Sequence, residues 1–145
     1  MFHVAQYKDG DIDKLKEREQ SDAWAWRDRI LDMYDNGAGG LGWTGWYDGE
    51  IAALGFIIRD AKNNIGLCPV FTSELITKCG DEVTEAARGA MEEGFAKLGV
   101  DALAGTVTPG FQKGHEWCQR LGFTDMGECQ NNGATVTLYI KKRGE

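Results

Sequence analysis

Hydrophobic residues recur at helical spacing through the longest patterned stretch of the chain, from Asp81 to Leu98. They fall at the i, i+3, i+4 and i+7 positions that share one face of an α-helix. Acidic residues come in the first turns, where the helix dipole stabilises negative charge, and Gly99 follows the last turn. The pattern predicts a helix over this stretch. Its buried face consists of Val83, Ala86, Ala87, Ala90, Met91, Gly94, Phe95 and Leu98.

Alternating apolar and polar positions predict strands in the first half of the chain. These strands are Phe2 to Tyr7, Leu41 to Tyr47, Glu50 to Arg59 and Ile65 to Thr72. Asp48-Gly49 separates the second from the third, and because both residues tolerate positive φ, the dipeptide predicts a hairpin turn. Asn63-Asn64 indicates a second turn, so Ile65 to Thr72 is expected to be one continuous antiparallel strand.

Helical and extended patterns alternate in the rest of the chain. Asp11 to Gln20 is charged and is expected to form a short exposed helix, and Ser21 can cap a second helix that Asn36-Gly37 ends. The later elements are a buried strand at Asp101 to Val107, a helix at Gly110 to Leu121, a strand from Phe123, and a last strand at Ala134 to Lys141. This order predicts one α/β domain over residues 1–145, with a mixed, mostly antiparallel sheet and helices on both faces.

Composition narrows the classes of function. The 145 residues are 42% hydrophobic and can bury a core, and the formal net charge of -7 argues against a nucleic-acid binder. The basic stretch Lys141-Lys142-Arg143 is interpreted as a solvated strand end. Tryptophans cluster at Trp24, Trp26, Trp43 and Trp46, and they are interpreted as core residues rather than as a grip on a ligand.

Cysteine and histidine spacing gives no metal-binding pattern. The four cysteines, Cys68, Cys79, Cys118 and Cys129, form no CxxC pair, so reduced core thiols are expected. His115 near the start of the last helix is interpreted as structural, because no nucleophile accompanies it. No signal peptide and no apolar run of about 18 residues is found, so no membrane span is expected.

One short stretch raises the possibility of a phosphate site. In TKCGDEV, Thr77 to Val83, a glycine and a lysine stand where a strand gives way to a helix. Backbone N–H groups at a helix start bind anions. Three carboxylates, Asp81, Glu82 and Glu85, would occupy that helix start and repel a pyrophosphate.

The order of elements, together with HEWCQRLGFTDMGE from His115 to Glu128, resembles the GCN5-related N-acetyltransferase (GNAT) superfamily. The match is a helix that ends in Leu121-Gly122-Phe123 and leads into a short strand. The resemblance implies the acyl-CoA N-acyltransferase fold. It also implies that acetyl-CoA lies between the strands Ile65 to Thr72 and Asp101 to Val107. The pyrophosphate would rest on a glycine-rich helix start, a tyrosine would protonate the thiolate and a glutamate would serve as base.

The chain departs from that pattern at the residues that carry the chemistry. The segment Phe71 to Gly80 has one glycine and one cation, Lys78, and lacks the Gln/Arg-x-x-Gly-x-Gly/Ala sequence. Cys118 stands in the tyrosine position, four residues before Gly122, and is interpreted as a small core residue. Glu74 is the nearest glutamate to the base position and is interpreted as a surface residue.

Within the superfamily, the second half of the chain resembles the small internal virion proteins of T7-like phages. The resemblance rests on an aromatic strand leading into Phe71-Thr72-Ser73, on Trp117 five residues before Gly122, and on the closing Leu138-Tyr139-Ile140-Lys141-Lys142-Arg143-Gly144. It implies a protein of the host cytoplasm during infection or of the virion.

Three functions follow as alternatives. The first is a virion or assembly protein that acts through protein partners, has a degenerate acetyl-CoA site and needs no cofactor. The second is an active acetyl-CoA-dependent N-acetyltransferase. In that case Val70, Phe71 and Thr72 would hold the pantetheine and polarise the carbonyl, while Lys78 and Gly80 would meet the phosphates. The third is a phage protein that binds a host target through its acidic surface.

Overall fold

The structure is a computed structural model that describes residues 1–15, 22–131 and 133–144, with Asp22 and Ala23 described in their backbone only. Eight strands form one sheet in the order β1-β2-β3-β4-β6-β8-β7, with β5 paired to β3 beyond the end of β4. The strands are β1 (Phe2–Gln6), β2 (Gly40–Tyr47), β3 (Glu50–Asp60), β4 (Ile65–Leu67), β5 (Val70–Thr72), β6 (Ala102–Val107), β7 (Thr124–Asn131) and β8 (Ala134–Lys142). Every pairing between them is antiparallel except β4 with β6.

Helices cover both faces of the sheet. They are the α-helices α1 (Arg27–Asn36), α2 (Ile76–Leu98) and α3 (Gln112–Arg120), and 3-10 helices at Asp11–Lys14 and Asp22–Trp26. On one face, Leu54 and Phe56 of β3 pack with Ile30 of α1. On the other, Ile57 packs with Met91 of α2 and Ala53 packs near Val83. Because both faces of β3 are covered, the strand is apolar almost throughout rather than alternating. The predicted α/β architecture is confirmed.

The turns follow the sequence signals. Asp48 has φ 50° and Gly49 φ 83° in the β2–β3 hairpin, and Asn64 has φ 52° in the turn before β4. These are the left-handed conformations that Asp, Asn and Gly adopt most readily. Gly122 follows α3 with φ 90°, which turns the chain sharply into β7.

The prediction of one strand over Ile65 to Thr72 is wrong, because the strand breaks at Cys68-Pro69. Proline has no N–H to donate and therefore interrupts a ladder inside a sheet. The two pieces have different neighbours: β4 lies between β3 and β6, whereas β5 pairs with β3 alone among the described strands.

The predicted start of the long helix at Asp81 is also wrong, because α2 begins at Ile76. The N–H groups of Ile76, Thr77 and Lys78 donate to carbonyls three residues earlier, which makes a tight first turn. Cys79 then kinks the helix, with φ −136° and ψ 28°. The first turn therefore holds no acid, and Asp81 comes after the kink.

The first helical segment differs from the expected exposed helix over Asp11 to Gln20. A 3-10 helix covers Asp11–Lys14, and Asp11, Ile12 and Leu15 are buried. The Asp11 carboxylate accepts hydrogen bonds from the Thr44 hydroxyl, 2.7 Å, and from the Lys8 N–H, 3.0 Å. These two donors stabilise a buried charge that the local sequence places on a surface. Residues 16–20 and Ser21, the predicted cap, lie outside the described residues.

The basic end of the chain is only partly the solvated segment that was predicted. β8 extends through Lys142, which is exposed. Arg143 instead donates from Nε and Nη2 to the carbonyl of Val100 and from Nη2 to that of Phe95, and its guanidinium lies over the Phe95 ring. It thereby fastens the end of the chain to the C-terminal end of α2. Among the described helices, none is long and apolar enough to cross a membrane.

Candidate functional site

A gap opens in the middle of the sheet where β5 separates from β6. Up to Ala104, β6 runs beside β4, and the Cys68 N–H still donates to the Ala104 carbonyl at 2.9 Å. Beyond Pro69, β5 follows β3 while β6 continues along β8. The cleft that results has a volume of about 730 Å³. Its walls come from both faces of the sheet, so the cleft passes through the sheet.

The backbone of β5 presents unpaired positions to this gap. The Phe56 N–H donates to the Pro69 carbonyl at 3.1 Å, and the Ser73 N–H donates to the Ala52 carbonyl at 3.0 Å. In an antiparallel pair, the residues that bond to the partner strand alternate with residues that point away from it. Phe71 therefore bonds to β3, while the N–H and C=O groups of Val70 and Thr72 point toward the gap.

Polar, charged and apolar residues together line the end of the cleft on the α2 and α3 face, which is called the near mouth. Its residues are Ile76, Thr77, Gly80, Asp81, Val83, Thr84, Phe111, Lys113, Gly114, Trp117, Cys118 and Arg120. Arg120 Nη2 lies 3.6 Å from Asp81 Oδ1, so the acid after the helix kink is paired with a guanidinium. Two cations and one anion among these residues give the near mouth a net positive charge in an acidic protein.

A chain of hydrogen bonds fixes the near mouth from the side of α3. The Trp117 indole N–H donates to the Thr84 hydroxyl at 2.9 Å, and that hydroxyl donates to the Gly80 carbonyl at 2.8 Å. Thr84 is 1% exposed. These bonds hold α3 against the part of α2 that follows the kink, beside the cleft.

Two thiols line the cleft beside β5 and β6. Burial raises the pKa of Cys68 to about 12 and that of Cys118 to about 11. Both side chains are therefore protonated at neutral pH, and Cys118 can donate a hydrogen bond but is a poor nucleophile. No disulfide links the cysteines. Among the described residues, no group of three or more His, Cys, Asp or Glu side chains is placed to hold a metal ion.

Mainly apolar side chains line the end of the cleft on the α1 face, which is called the far mouth. Alternation along β8 assigns the face: Tyr139 hydrogen-bonds His115 of α3, so Val136 and Leu138 point to the opposite side. The α1 side supplies the opposite wall. The residues of the far mouth are Trp26, Arg29, Ile30, Met33, Cys129, Gln130, Asn131, Ala134, Val136 and Leu138.

His115 has a structural position, as predicted. Its Nε2 lies 3.1 Å from the Thr108 carbonyl, which can only accept, so Nε2 carries the proton. Nδ1 then accepts from the Tyr139 hydroxyl at 2.8 Å. Tyr139 is buried, and burial raises its pKa. The pair joins α3 to β8 and does not line the cleft.

The residues predicted for an acetyl-CoA site divide into two groups. Val70, Thr72 and Gly80 line the cleft. The Phe71 side chain is fully buried in the core on the α1 face, and Lys78 is exposed outside the cleft lining. Cys118, interpreted from sequence as a core residue, lines the cleft, and so does Trp26, which was interpreted as core and is 38% exposed.

Sequence patterns missed the cations and the apolar wall of the site. Arg120 and Lys113 belong to the last helix, far in sequence from the segment that suggested a phosphate site, and no local signal connects them to it. The gap itself had a signal in Pro69, since a proline within a predicted central strand indicates a break in the ladder.

Comparison with known proteins supports the fold. No family model matches the chain, and no protein of curated function matches its sequence. A Bacillus subtilis acetyltransferase in complex with CoA aligns over 98% of this chain and 99% of its own, with a TM-score of 0.72 and 13% identity. A spermidine N-acetyltransferase chimera of Vibrio cholerae SpeG and hSSAT aligns over 97% and 95%, with a TM-score of 0.70 and 13% identity.

A ribosomal-protein-S5-alanine acetyltransferase from Vibrio fischeri aligns over 99% of this chain and 94% of its own, with a TM-score of 0.66 and 12% identity. These three proteins share the sheet and its helical layers with the present chain, at identities that carry information on fold alone. The chain therefore has the GNAT acetyltransferase fold, in which a gap separates β5 from β6.

Proposed function

We propose that the protein is an acetyl-CoA-dependent N-acetyltransferase. The observation that carries the proposal is the cleft between β5 and β6, which opens on both faces of the sheet with the unpaired backbone of Val70 and Thr72 in its wall. A cleft open on both faces lets two reactants reach one point from opposite sides, where they can be held in a reactive orientation.

The residues of the cleft fit acetyl-CoA. The ligand combines an amide-bearing pantetheine arm with phosphates. The N–H and C=O groups of Val70 and Thr72 can pair with the amides as a further strand would. Lys113 and Arg120 give the near mouth the positive charge that phosphates need. Gly80 lines the same mouth, while exposed Lys78 lies away from it, so we assign the phosphate contacts to Lys113, Arg120 and the Gly80 backbone.

Acetyl-CoA supplies, when bound, an acetyl group on a thioester sulfur, so that transfer to an amine breaks a C–S bond, forms a C–N bond and moves one proton from nitrogen to sulfur. The chain contributes orientation and hydrogen bonding. A backbone N–H of β5 can donate to an oxygen that gains negative charge. The protonated Cys118 thiol of α3 lines the same cleft and can donate a hydrogen bond.

Calorimetric titration with acetyl-CoA, together with the melting temperature, tests this function. We expect micromolar affinity and an increase of several degrees at saturating ligand, because a ligand that binds only the folded state stabilises it. Thr72→Pro removes an N–H that points to the gap and leaves the bonds to β3 intact. This variant should fold and bind acetyl-CoA more weakly. Absence of binding at millimolar acetyl-CoA would refute the proposed acetyltransferase function.

A second candidate is the virion or assembly role with a degenerate site. One observation favours it: the N–H groups of Ile76, Thr77 and Lys78 already donate to Ser73, Glu74 and Leu75 carbonyls, so the first turn of α2 has few donors left for a pyrophosphate. In this role the protein would act through protein partners, in the host cytoplasm or the virion, or would bind a host target by its acidic surface. Mass spectrometry of purified virions tests whether the protein is packaged. This role requires no acetyl-CoA binding.

A further inference from the structure

We propose that two copies of the chain associate through β1, with their β1 strands antiparallel across a two-fold axis. The inference goes beyond the proposed function and does not depend on acetyl-CoA binding. Its basis is a difference between the two edges of the sheet. The β7 edge has a bulge and two acidic residues, whereas the β1 edge has neither.

The edge strands β1 and β7 differ in how they are protected. In β7 the register shifts between Asp125 and Glu128, and Gly127 has φ 89°. Bulges and charged side chains on an edge strand hinder its pairing with another chain. β1 pairs with β2 alone among the described strands, and its register is unbroken from Phe2 to Gln6, a stretch without Lys, Arg, Asp, Glu or Pro. The β1 edge is therefore open to a further strand.

The backbone of β1 directs hydrogen-bonding groups away from β2. The Tyr7 N–H donates to the Gly42 carbonyl at 2.9 Å. At the other end of the strand, the Met1 carbonyl accepts from the Asp48 N–H at 3.3 Å. The odd-numbered residues thus bond to β2, and because bonded positions alternate, the N–H and C=O groups of the even-numbered residues point outward. These residues are Phe2, Val4 and Gln6.

A second copy of β1 pairs all of these groups in one register. When Val4 lies opposite Val4 of the second copy, Phe2 lies opposite Gln6 of the second copy, and the reverse. Each pair exchanges two N–H···O bonds, so every outward group of both strands has a partner. Any other register leaves Phe2 or Gln6 without a partner in the second β1. Val4 is 41% exposed, and the two Val4 side chains would cover each other on one face of the joined sheet.

Charges near β1 are balanced, although the protein as a whole has a net charge of -7. A cavity of about 310 Å³ beside the strand has Glu93 and Lys97 in its lining, and the two are paired at 2.5 Å. At the end of β1, exposed Lys8 and Asp9 carry one charge of each sign. In the proposed register Lys8 approaches the end of the second copy where Asp48 is exposed, so opposite charges meet on both sides of the axis.

Sedimentation velocity from about 10 µM to about 1 mM protein tests the association. Pairing through one short strand gives a small interface, so we expect the mass to rise over this range from 16.0 kDa toward twice that value. Amide hydrogen exchange of Phe2, Val4 and Gln6 should slow as the concentration rises, whereas that of His3 and Ala5 should stay slow throughout. A mass of 16.0 kDa at about 1 mM would overturn the second copy as the occupant of the edge.

Two substitutions of Val4 locate the interface. Val4→Lys places like charges on the axis and should raise the dissociation constant of the dimer by at least about 10-fold. Val4→Pro removes one outward N–H in each copy and leaves the bonds to β2 intact. Met126→Lys is the matched control, because it adds the same charge at an exposed position of the β7 edge. An undiminished dimer in both Val4 variants, or equal weakening in Met126→Lys, contradicts the interface.

The melting transition and the acetyl-CoA titration separate this inference from the proposed function. Val4 does not line the cleft, so both Val4 variants should melt cooperatively and bind acetyl-CoA as the parent chain does. A dimer that depends on Val4 supports the interface even if acetyl-CoA does not bind. A chain that binds acetyl-CoA but stays at 16.0 kDa overturns the interface and leaves the acetyltransferase function standing.

Discussion

Replacement of Asp81 by Asn tests whether the acids of α2 work against an anionic ligand. Asp81 lines the near mouth, and its carboxylate is the negative partner of Arg120 at 3.6 Å. The substitution removes one negative charge from the mouth and leaves the Arg120 guanidinium free to meet a phosphate. The Asp81 side chain is 91% exposed, and exposed ion pairs contribute about 0–1 kcal/mol to stability, so the fold should be nearly unaffected.

The magnitude follows from Coulomb's law in the solvent limit. For an anionic charge bound about 5–8 Å from the carboxylate, the repulsion is about 0.5–0.8 kcal/mol at a dielectric constant of about 80. Its removal should tighten acetyl-CoA binding roughly 2- to 4-fold for each phosphate charge that near. The gain should shrink as salt is raised from about 0.01 M to about 1 M, since the Debye length falls from about 30 Å to about 3 Å.

Isothermal titration at two salt concentrations measures this change. Glu85→Gln is the matched control: it removes the same charge from the same helix, but Glu85 pairs with Arg88 at 2.5 Å and lies outside the cleft lining. We expect tighter binding in Asp81→Asn only. Weaker binding in Asp81→Asn, or an equal gain in both variants, would show that the local charge of the near mouth does not govern affinity.

Three further predictions concern stability. Arg143→Ala should lower the free energy of unfolding by about 1.5–3 kcal/mol in urea denaturation. The substitution removes the guanidinium that donates to the Phe95 and Val100 carbonyls at the end of α2. An unchanged denaturation midpoint would contradict this prediction. Ser73→Ala should cost about 1–3 kcal/mol, because the 3%-exposed hydroxyl both donates to the Ile51 carbonyl and accepts from the Leu75 N–H; Ser73→Thr serves as the control that retains the hydroxyl. Burial raises the folded-state pKa of Cys68 to about 12 and that of Cys118 to about 11, so the unfolded chain loses these protons first as the pH rises. Between pH 9 and 11 the free energy of unfolding should therefore fall by up to about 1.4 kcal/mol per pH unit for each thiol. Denaturant titrations at several pH values should show a shallower fall in a Cys118→Ala variant.

Local patterns predicted the secondary structure well where the backbone preferences of a few adjacent residues decide it. The Asp48-Gly49 hairpin follows from backbone preferences alone. The long helix has an apolar face that any sheet would bury, and the prediction that it extends to Leu98 was correct. Its start was not, because Ser73 makes bonds to β3 and to the Leu75 N–H that favour an extra turn before the kink at Cys79.

The candidate site could be predicted only in part. Val70, Thr72 and Gly80 line the cleft. They were named from the resemblance to the GNAT superfamily, which implies that acetyl-CoA lies beside this strand and the helix start after it. The Phe71 side chain points into the core, as alternation along a strand requires. Lys78 is exposed and lies outside the cleft lining, although Ile76 and Thr77 of the same turn line it, so its predicted contact with a phosphate stays a prediction.

The sequence by itself predicted most of the strands and helices, because hydrophobic period and turn chemistry are local properties of the chain. The GNAT acetyltransferase fold was implied by the resemblance of the element order and of His115 to Glu128 to that superfamily. Only the tertiary structure decided what lies in the cleft. Asp81 pairs with Arg120, and Trp26 and Leu138 line the same cleft, although the two residues of each pair are distant in sequence. Such contacts depend on how a broken strand and three helices pack, and packing is a property of the whole chain.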